Sequence, residues 1–204
     1  MKKIYLVTHT EATHHIEKKV GGWFNSDLTK KGISEAKFVR AKLKEVGVNI
    51  NEVTIYSSDL NRTSQTANVI AKEYSDGIVY DRRLREMSFG DNEGMDQEQH
   101  NKIMKPISDS GERLDHKICA GAESRRDVAG RVSEFVLEMM NQPGDAVIVT
   151  HGFAGSFVIA AFQRIDISSM GYIDYKLKSG SLTILESDDL FQNRSVKLLN
   201  IKCT

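Results

Sequence analysis

The chain has 204 residues, of which 28 are Lys or Arg and 28 are Asp or Glu, so its formal net charge is zero with neutral histidines. That balance excludes bulk electrostatic attraction to nucleic acid or a membrane surface, and any anion must be met by positive charge arranged locally. Apolar residues at 40% and only two prolines describe a folded chain, with length for one domain over residues 1–204 carrying a sizeable insertion.

Four apolar residues, Ile4 to Val7, follow Met1-Lys2-Lys3. This is too few for a signal sequence or a membrane span, so the chain reads as cytoplasmic. Further β-branched runs at Val53 to Tyr56, Ala146 to Thr150, Leu182 to Leu185 and Val196 to Ile201 predict strands, the last two joined as a hairpin across Ser187 to Arg194. Helical patterns lie between them. Thr29 reads as an N-cap, with Ile33, Ala36, Val39, Leu43 and Val46 at near-helical spacing until Gly47. Leu60, Thr63, Ala67, Ile70 and Tyr74 form a second stripe. Ser124, with Asp127 three residues on, opens a third carrying Val128, Val132, Phe135 and Met139. Strands alternating with helices predict an α/β layer fold with a mostly parallel sheet. From about 88 to 123 the periodicity fails, with Gly90, Gly94, Pro106, Gly111 and Gly121 punctuating a polar stretch that has room for one short helix from Asp96 to Met104. A segment of that kind reads as a lid over a site.

Leu6-Val7-Thr8-His9 and Ile148-Val149-Thr150-His151 are two hydrophobic strands that each end in Thr-His. In a parallel sheet both histidines leave from carboxyl ends, where ligand sites of such folds lie. Between them, Asp59 or Ser58 could cap a helix whose first turn holds Arg62. The free N–H groups there favour an anion, and the helix dipole disfavours an arginine that lacks an anionic partner or solvent. Glu86 has the chemistry of a general acid, while Arg82, Arg83 and Arg85 beside it form a small basic cluster. Cys119 and Cys203 match no metal or disulfide spacing. His14-His15 with His9 could hold a transition metal, but their spacing is not that of a recognised site, and no metal or cofactor is expected.

The ordered set Thr8-His9-Thr10-Glu11, Asp27-Leu28-Thr29-x-x-Gly32, Ser57-Ser58-x-x-x-Arg62-x-x-x-Thr66-Ala67, Glu86 with Phe89-Gly90 and Glu93-Gly94, Glu123-Ser124, and Val149-Thr150-His151-Gly152 resembles the histidine phosphatase superfamily, in its phosphoglycerate-mutase-like branch. The resemblance implies a three-layer α/β/α sandwich. It also implies a phosphomonoester hydrolase that needs no metal and acts on a small phosphorylated metabolite, or binds inorganic phosphate. His9 would be the nucleophile, forming a phosphohistidine. His151 and Arg62 would bind phosphate oxygens, and Glu86 would give a proton to the leaving oxygen and then help activate water. Thr8, Thr10, His15, Gly22 and Gly152 would stand around the substrate.

The family usually reads Arg-His-Gly where this chain has Thr8-His9-Thr10, so one fork-shaped phosphate donor is missing. His15 falls where Asn is common, and Gly21-Gly22-Trp23 and Asn25 also depart from the pattern. Two readings follow. In one, a working phosphatase has a rebuilt pocket in which His14, His15 or one of Arg82, Arg83 and Arg85 supplies the missing charge. In the other, the fold has lost most turnover and binds or regulates. A mutase is a third reading, less well served by this length and this altered loop.

Overall fold

The computed structural model describes residues 1–49, 52–72, 77–107 and 112–203. In chain order the elements are β1 (Lys2–Thr8), α1 (Thr13–Ile16), α2 (Lys30–Glu45), β2 (Val53–Ser57), α3 (Asn61–Ala71), β3 (Ile78–Tyr80), α4 (Gln97–Ile103), α5 (Arg125–Met140), β4 (Asp145–Thr150), α6 (Gly152–Phe162), β5 (Ser181–Ser187) and β6 (Arg194–Lys202). The six strands form one sheet in the order β3-β2-β4-β1-β5-β6. The first four in that order run parallel, β5 is antiparallel to β1, and β6 closes an antiparallel hairpin with β5.

Alternation along β1 and β4 divides the core into two layers, because successive strand side chains point to opposite faces. Ile4, Leu6 and Ile148 pack with Val132, Phe135 and Val136 of α5 and Phe157 of α6. Tyr5, Val7, Val147 and Val149 pack on the other face with Val39 and Leu43 of α2 and Ala67 and Ile70 of α3. The result is the three-layer α/β/α arrangement with a mostly parallel sheet that the resemblance implies.

Local chemistry fixes several ends as expected. The Thr29 hydroxyl accepts the Gly32 N–H at 2.9 Å, and Ser124 and Asp127 form a capping box at the start of α5. Asp96 caps α4 through the Gln99 N–H. α3 differs: neither Ser58 nor Asp59 serves as its N-cap, which is Leu60 without a side-chain bond. Asp59 is instead drawn into a bidentate pair with Arg85 at 2.6 and 2.7 Å, a stronger use of a carboxylate than a single N–H. Tyr74, expected on the α3 stripe, and Gly111 lie outside the described residues. Two elements carry no periodic signal. The edge strand β3 has three residues, two of them exposed, and α6 is buried on nearly every side. Among the described residues no helix is long and apolar enough to cross a membrane.

Candidate active site

β1 and β4 are neighbours in register, with Thr8 opposite Thr150, so His9 and His151 leave the sheet side by side at the carboxyl ends of their strands. The His9 N–H continues the ladder to the Thr150 carbonyl at 2.9 Å, and the two rings meet edge to face with centroids 5.2 Å apart. This is the structural meaning of the repeated Thr-His.

His9 is 7% exposed. Its Nδ1 lies 2.9 Å from the Thr10 carbonyl, which can only accept, so Nδ1 carries the proton and Nε2 keeps its lone pair. Burial, followed by the nearby Arg62 cation, holds its pKa well below the ordinary imidazole value. His151 is shifted the same way by burial, with Arg62 and His9 next. Ser58 Oγ, 3.0 Å from His151 Nε2, also takes the Leu60 N–H at 3.4 Å. A serine that donates to Nε2 makes Nδ1 the protonated nitrogen of the neutral ring, and Nδ1 is buried without a protein partner.

Arg62, in the first turn of α3, is 1% exposed. Its terminal nitrogens donate to the Gly22 carbonyl at 2.5 Å and the Phe24 carbonyl at 2.9 Å, while its Nε has no protein partner. Burial lowers its pKa to about 10, opposed by Glu86 and Glu93. Gly22 takes φ +49°, and a Cβ there would come within 2.7 Å of the Phe89 ring, so only glycine lets this loop turn its carbonyl onto Arg62. A buried donor left unpaired costs about 1–3 kcal/mol. Arg62 Nε and His151 Nδ1 are the two atoms of this site left without a protein partner, and of their residues Arg62 lines the same cavity as His9.

Glu86 is fixed by the start of α6. Its Oε1 accepts the N–H of Ala154 at 2.9 Å and of Met87 at 3.0 Å, and Oε2 that of Phe153 at 3.1 Å. Helix N-termini favour an acidic side chain in this way. Its own carbonyl accepts from Trp23 Nε1 at 2.7 Å and from Arg131 at 2.9 Å. Arg131 also pairs with Glu123 and binds the carbonyls of Arg83 and Arg85, bracing the segment from behind.

A cavity of about 1280 Å³ opens over these groups, lined among others by Thr8, His9, His14, His15, Gly22, Arg62, Glu86 and Gly152. The 88–123 segment contributes Phe89, Gln97, Met104, Ile107 and Ile118 to its wall. A Cβ on Gly152 would sit 2.9 Å from the Leu177 carbonyl, so that glycine lets the irregular segment before β5 approach.

Several expectations need correction. Thr10 is fully buried and turns toward α3, its N–H and hydroxyl 3.3 and 3.4 Å from Thr66 Oγ1. It does not line the cavity, because Thr66 offers a closer polar partner. Thr8 lines the cavity, but its hydroxyl is committed to the Lys178 carbonyl and to Ser181, so it is no free donor for an anion. Arg83 pairs with Asp81, Glu134 and Glu138. Arg85 pairs with Asp59 and stacks over Trp23. Neither joins the cavity wall, nor does Arg82, and only His14 and His15 remain of the replacements considered for the missing arginine.

The His14 ring lies 4.0 Å from that of His15, which stacks on His9 at 5.4 Å. Ligand atoms of all three lie within 4.8 Å of one another, although their sequence spacing matches no familiar site. His14 Nδ1 meets Ser26 Oγ at 2.7 Å, and burial, then His15 and Arg62, pushes its pKa down to about 3. His15 Nδ1 accepts the Ala12 N–H at 3.1 Å, so the neutral ring carries its proton on Nε2. Its pKa too is lowered, by burial and then Arg62.

Three features had no local signal in the sequence: Ser58 as the partner of His151, Arg131 as a brace, and Arg113 with Arg125 on the cavity wall. Each depends on contacts between segments far apart in the chain.

Solved structures with the same fold include YhfR of Bacillus stearothermophilus (26% identity, TM-score 0.76, covering 98% of this chain and 97% of that one). Mycobacterial glucosyl-3-phosphoglycerate phosphatase in complex with VO3 (23%, TM-score 0.80, 98% and 99%) and the alpha-ribazole phosphatase of Shigella flexneri (20%, TM-score 0.79, 98% and 96%) also match. Among sequences, Probable phosphoglycerate mutase GpmB of Escherichia coli O1:K1 is 31% identical over 161 residues, which cover 76% of this chain and 71% of the relative. The family profile described as Histidine phosphatase superfamily (branch 1) matches residues 4–201. With that match over nearly its whole length, the chain belongs to the histidine phosphatase superfamily.

Proposed function

We propose that this protein is a phosphomonoester hydrolase that works through a phosphohistidine on His9 and needs no metal for turnover. The observation that carries the reading is the His9 ring: Nδ1 bonds the Thr10 carbonyl, which leaves the Nε2 lone pair free, while Arg62 Nε and His151 Nδ1 are buried without a protein partner.

In the first step His9 Nε2 attacks phosphorus, forming an N–P bond as the ester P–O bond breaks. The Nδ1–H bond to the Thr10 carbonyl strengthens as the ring gains positive charge. Arg62 Nε–H, His151 Nδ1–H and His15 Nε2–H supply donors to the phosphoryl oxygens. His15 thereby replaces, with a neutral donor, the arginine that Thr8 does not supply. Three of the four lone-pair positions of the Glu86 carboxyl are taken by backbone N–H groups. The fourth, on Oε2, is where the proton for the leaving oxygen sits. In the second step Glu86 takes a proton from water, the water oxygen bonds to phosphorus, and the N–P bond breaks to free His9.

The 88–123 segment acts as the lid of one domain spanning the chain, and it sets substrate choice. Arg113 and Arg125 reach the same cavity, anchored on the carbonyls of Gly171 at 2.7 Å and Ile173 at 2.9 Å. Among the described residues, neither has a carboxylate within ion-pair distance. The substrate class favoured is a phosphomonoester with a second anionic group. A binding or regulatory role is the second reading, favoured by the use of both terminal nitrogens of Arg62 on carbonyls.

The deciding experiment is hydrolysis of p-nitrophenyl phosphate between pH 5 and 8 in chelator, with rapid acid-free quench to trap a labelled phosphoenzyme. Turnover and label in the wild type, both absent in His9→Ala, are expected. A wild type that hydrolyses no phosphomonoester but binds phosphate establishes the second reading.

A further inference from the structure

We propose that His9, His14 and His15 form a binding site for a transition-metal ion such as Zn²⁺, and that an ion held there shuts off phosphoryl transfer by occupying the His9 nucleophile. The metal site stands on the geometry of this cavity alone; its inhibitory consequence rests on the phosphohistidine reading.

Zinc binds imidazole nitrogen at about 2.0–2.1 Å in tetrahedral sites, which places ligand nitrogens about 3.4 Å apart. The ligand atoms of the three histidines already lie within 4.8 Å of one another. All three line the cavity, and His15, the exposed one, is the ring free to turn and close the remaining gap.

Two of the rings are oriented as metal-bound histidines usually are, with the far nitrogen fixed by the protein. His9 does so through the Thr10 carbonyl at 2.9 Å and His14 through Ser26 Oγ at 2.7 Å. His15 is the exposed member, on the one-turn helix α1. It completes the site by turning its ring and releasing the Ala12 N–H, a bond 3.1 Å long.

Charge in the cavity permits a cation. Arg62 is the opposing group, but its terminal nitrogens are already held by the Gly22 and Phe24 carbonyls, and Glu86 and Glu93 act on it electrostatically. Glu11 and Glu35 favour positive charge at His15. Threonine at position 8, with its hydroxyl turned to Lys178, adds no cation beside His9, and Arg113 and Arg125 on the same cavity wall are held to the carbonyls of Gly171 and Ile173. Three neutral nitrogen donors select Zn²⁺, Cu²⁺ or Ni²⁺ over Mg²⁺ or Ca²⁺, which prefer oxygen. Such an ion would coordinate through Nε2 of His9, the same lone pair that must attack phosphorus, so metal and phosphoryl transfer exclude each other.

The test is calorimetric titration of tag-free, chelator-washed protein with ZnCl₂ and, separately, MgCl₂. One Zn²⁺ per chain and no heat from Mg²⁺ are expected. His15→Asn, at an exposed position, and His14→Gln should each weaken Zn²⁺ binding about tenfold or more. Zn²⁺ should also abolish p-nitrophenyl phosphate hydrolysis by the wild type, with the inhibitory concentration about tenfold higher in either variant. Absence of stoichiometric Zn²⁺ binding, or binding unchanged in both folded variants, overturns the site. Turnover that rises with Zn²⁺ overturns the inhibitory role. A wild type that binds one Zn²⁺ through these residues yet never hydrolyses a phosphomonoester refutes the phosphatase reading and leaves the metal site standing.

Discussion

Acidification from pH 7 to 5 is expected to destabilise this protein well before its carboxylates titrate, and the reason is the buried pair His9 and His151. Both rings have pKa values held well below 6.5 in the fold, by burial first and Arg62 second. In the unfolded chain they protonate near 6.5. Below that pH the unfolded state binds more protons than the folded one, so stability falls as the pH drops toward the folded values. Between pH 7 and 5 each ring contributes about 2 kcal/mol of loss, about 4 kcal/mol for the pair, a large share of the 5–15 kcal/mol typical of a folded domain. His14 acts in the same direction. Carboxylates with depressed values, such as Asp59 and Asp81, lose their contribution only when the pH falls below their ordinary range, so they do not confuse this window. The assay is urea unfolding followed through Trp23, the only tryptophan, at pH 7, 6 and 5, for wild type and His151→Asn. The variant should lose about 2 kcal/mol of that pH dependence, the share of one ring. Equal unfolding free energies at pH 7 and 5, or an unchanged slope in the variant, would refute a neutral buried pair.

Glu86→Gln should lower turnover of an alkyl phosphate about 10²–10⁴-fold and that of p-nitrophenyl phosphate much less, because nitrophenolate leaves without a proton; equal losses on both would remove Glu86 from the acid role. Thr8→Arg should raise affinity for inorganic phosphate about tenfold while lowering stability by about 1–3 kcal/mol, since the Lys178 carbonyl and Ser181 lose their hydroxyl partner; phosphate titration and thermal melting read the two effects separately. Arg125→Ala should raise KM about tenfold for a phosphomonoester bearing a carboxylate or second phosphate, and far less for a plain aryl phosphate; a uniform change would argue against a second anionic subsite.

What the sequence made legible was chemistry decided within a few residues. Thr29 and Ser124 cap their helices because each bonds an N–H three positions on. The alternation of β1 and β4 predicts two buried faces, and the structure has both. The strand-terminal Thr-His echo is visible in the letters, but that its halves are adjacent depends on sheet order. Long-range partners account for the misses. The resemblance puts Thr8 and Thr10 around the substrate, whereas Lys178, Ser181 and Thr66 claim their hydroxyls. The histidine trio is readable as a candidate metal set but discounted on spacing, because a short helical turn, not a regular repeat, brings His14 and His15 to His9. The apolar helix α6 gave no stripe because it is buried on nearly every side.

The pairing of Thr8 with Thr150 has a consequence for how the protein fails. The separation of His9 and His151 is set by two central strands, and a slip of one residue between them would send every side chain of the slipped strand into the opposite core layer. The two rings can therefore part only when the whole sheet comes apart. His15, by contrast, is held on a single helical turn, a region that opens at lower free energy than central strands. Under rising denaturant the third phosphate donor should be lost while the nucleophile and its neighbour are still in place, so the protein passes through a state that keeps the attacking ring but grips a phosphoryl group less firmly.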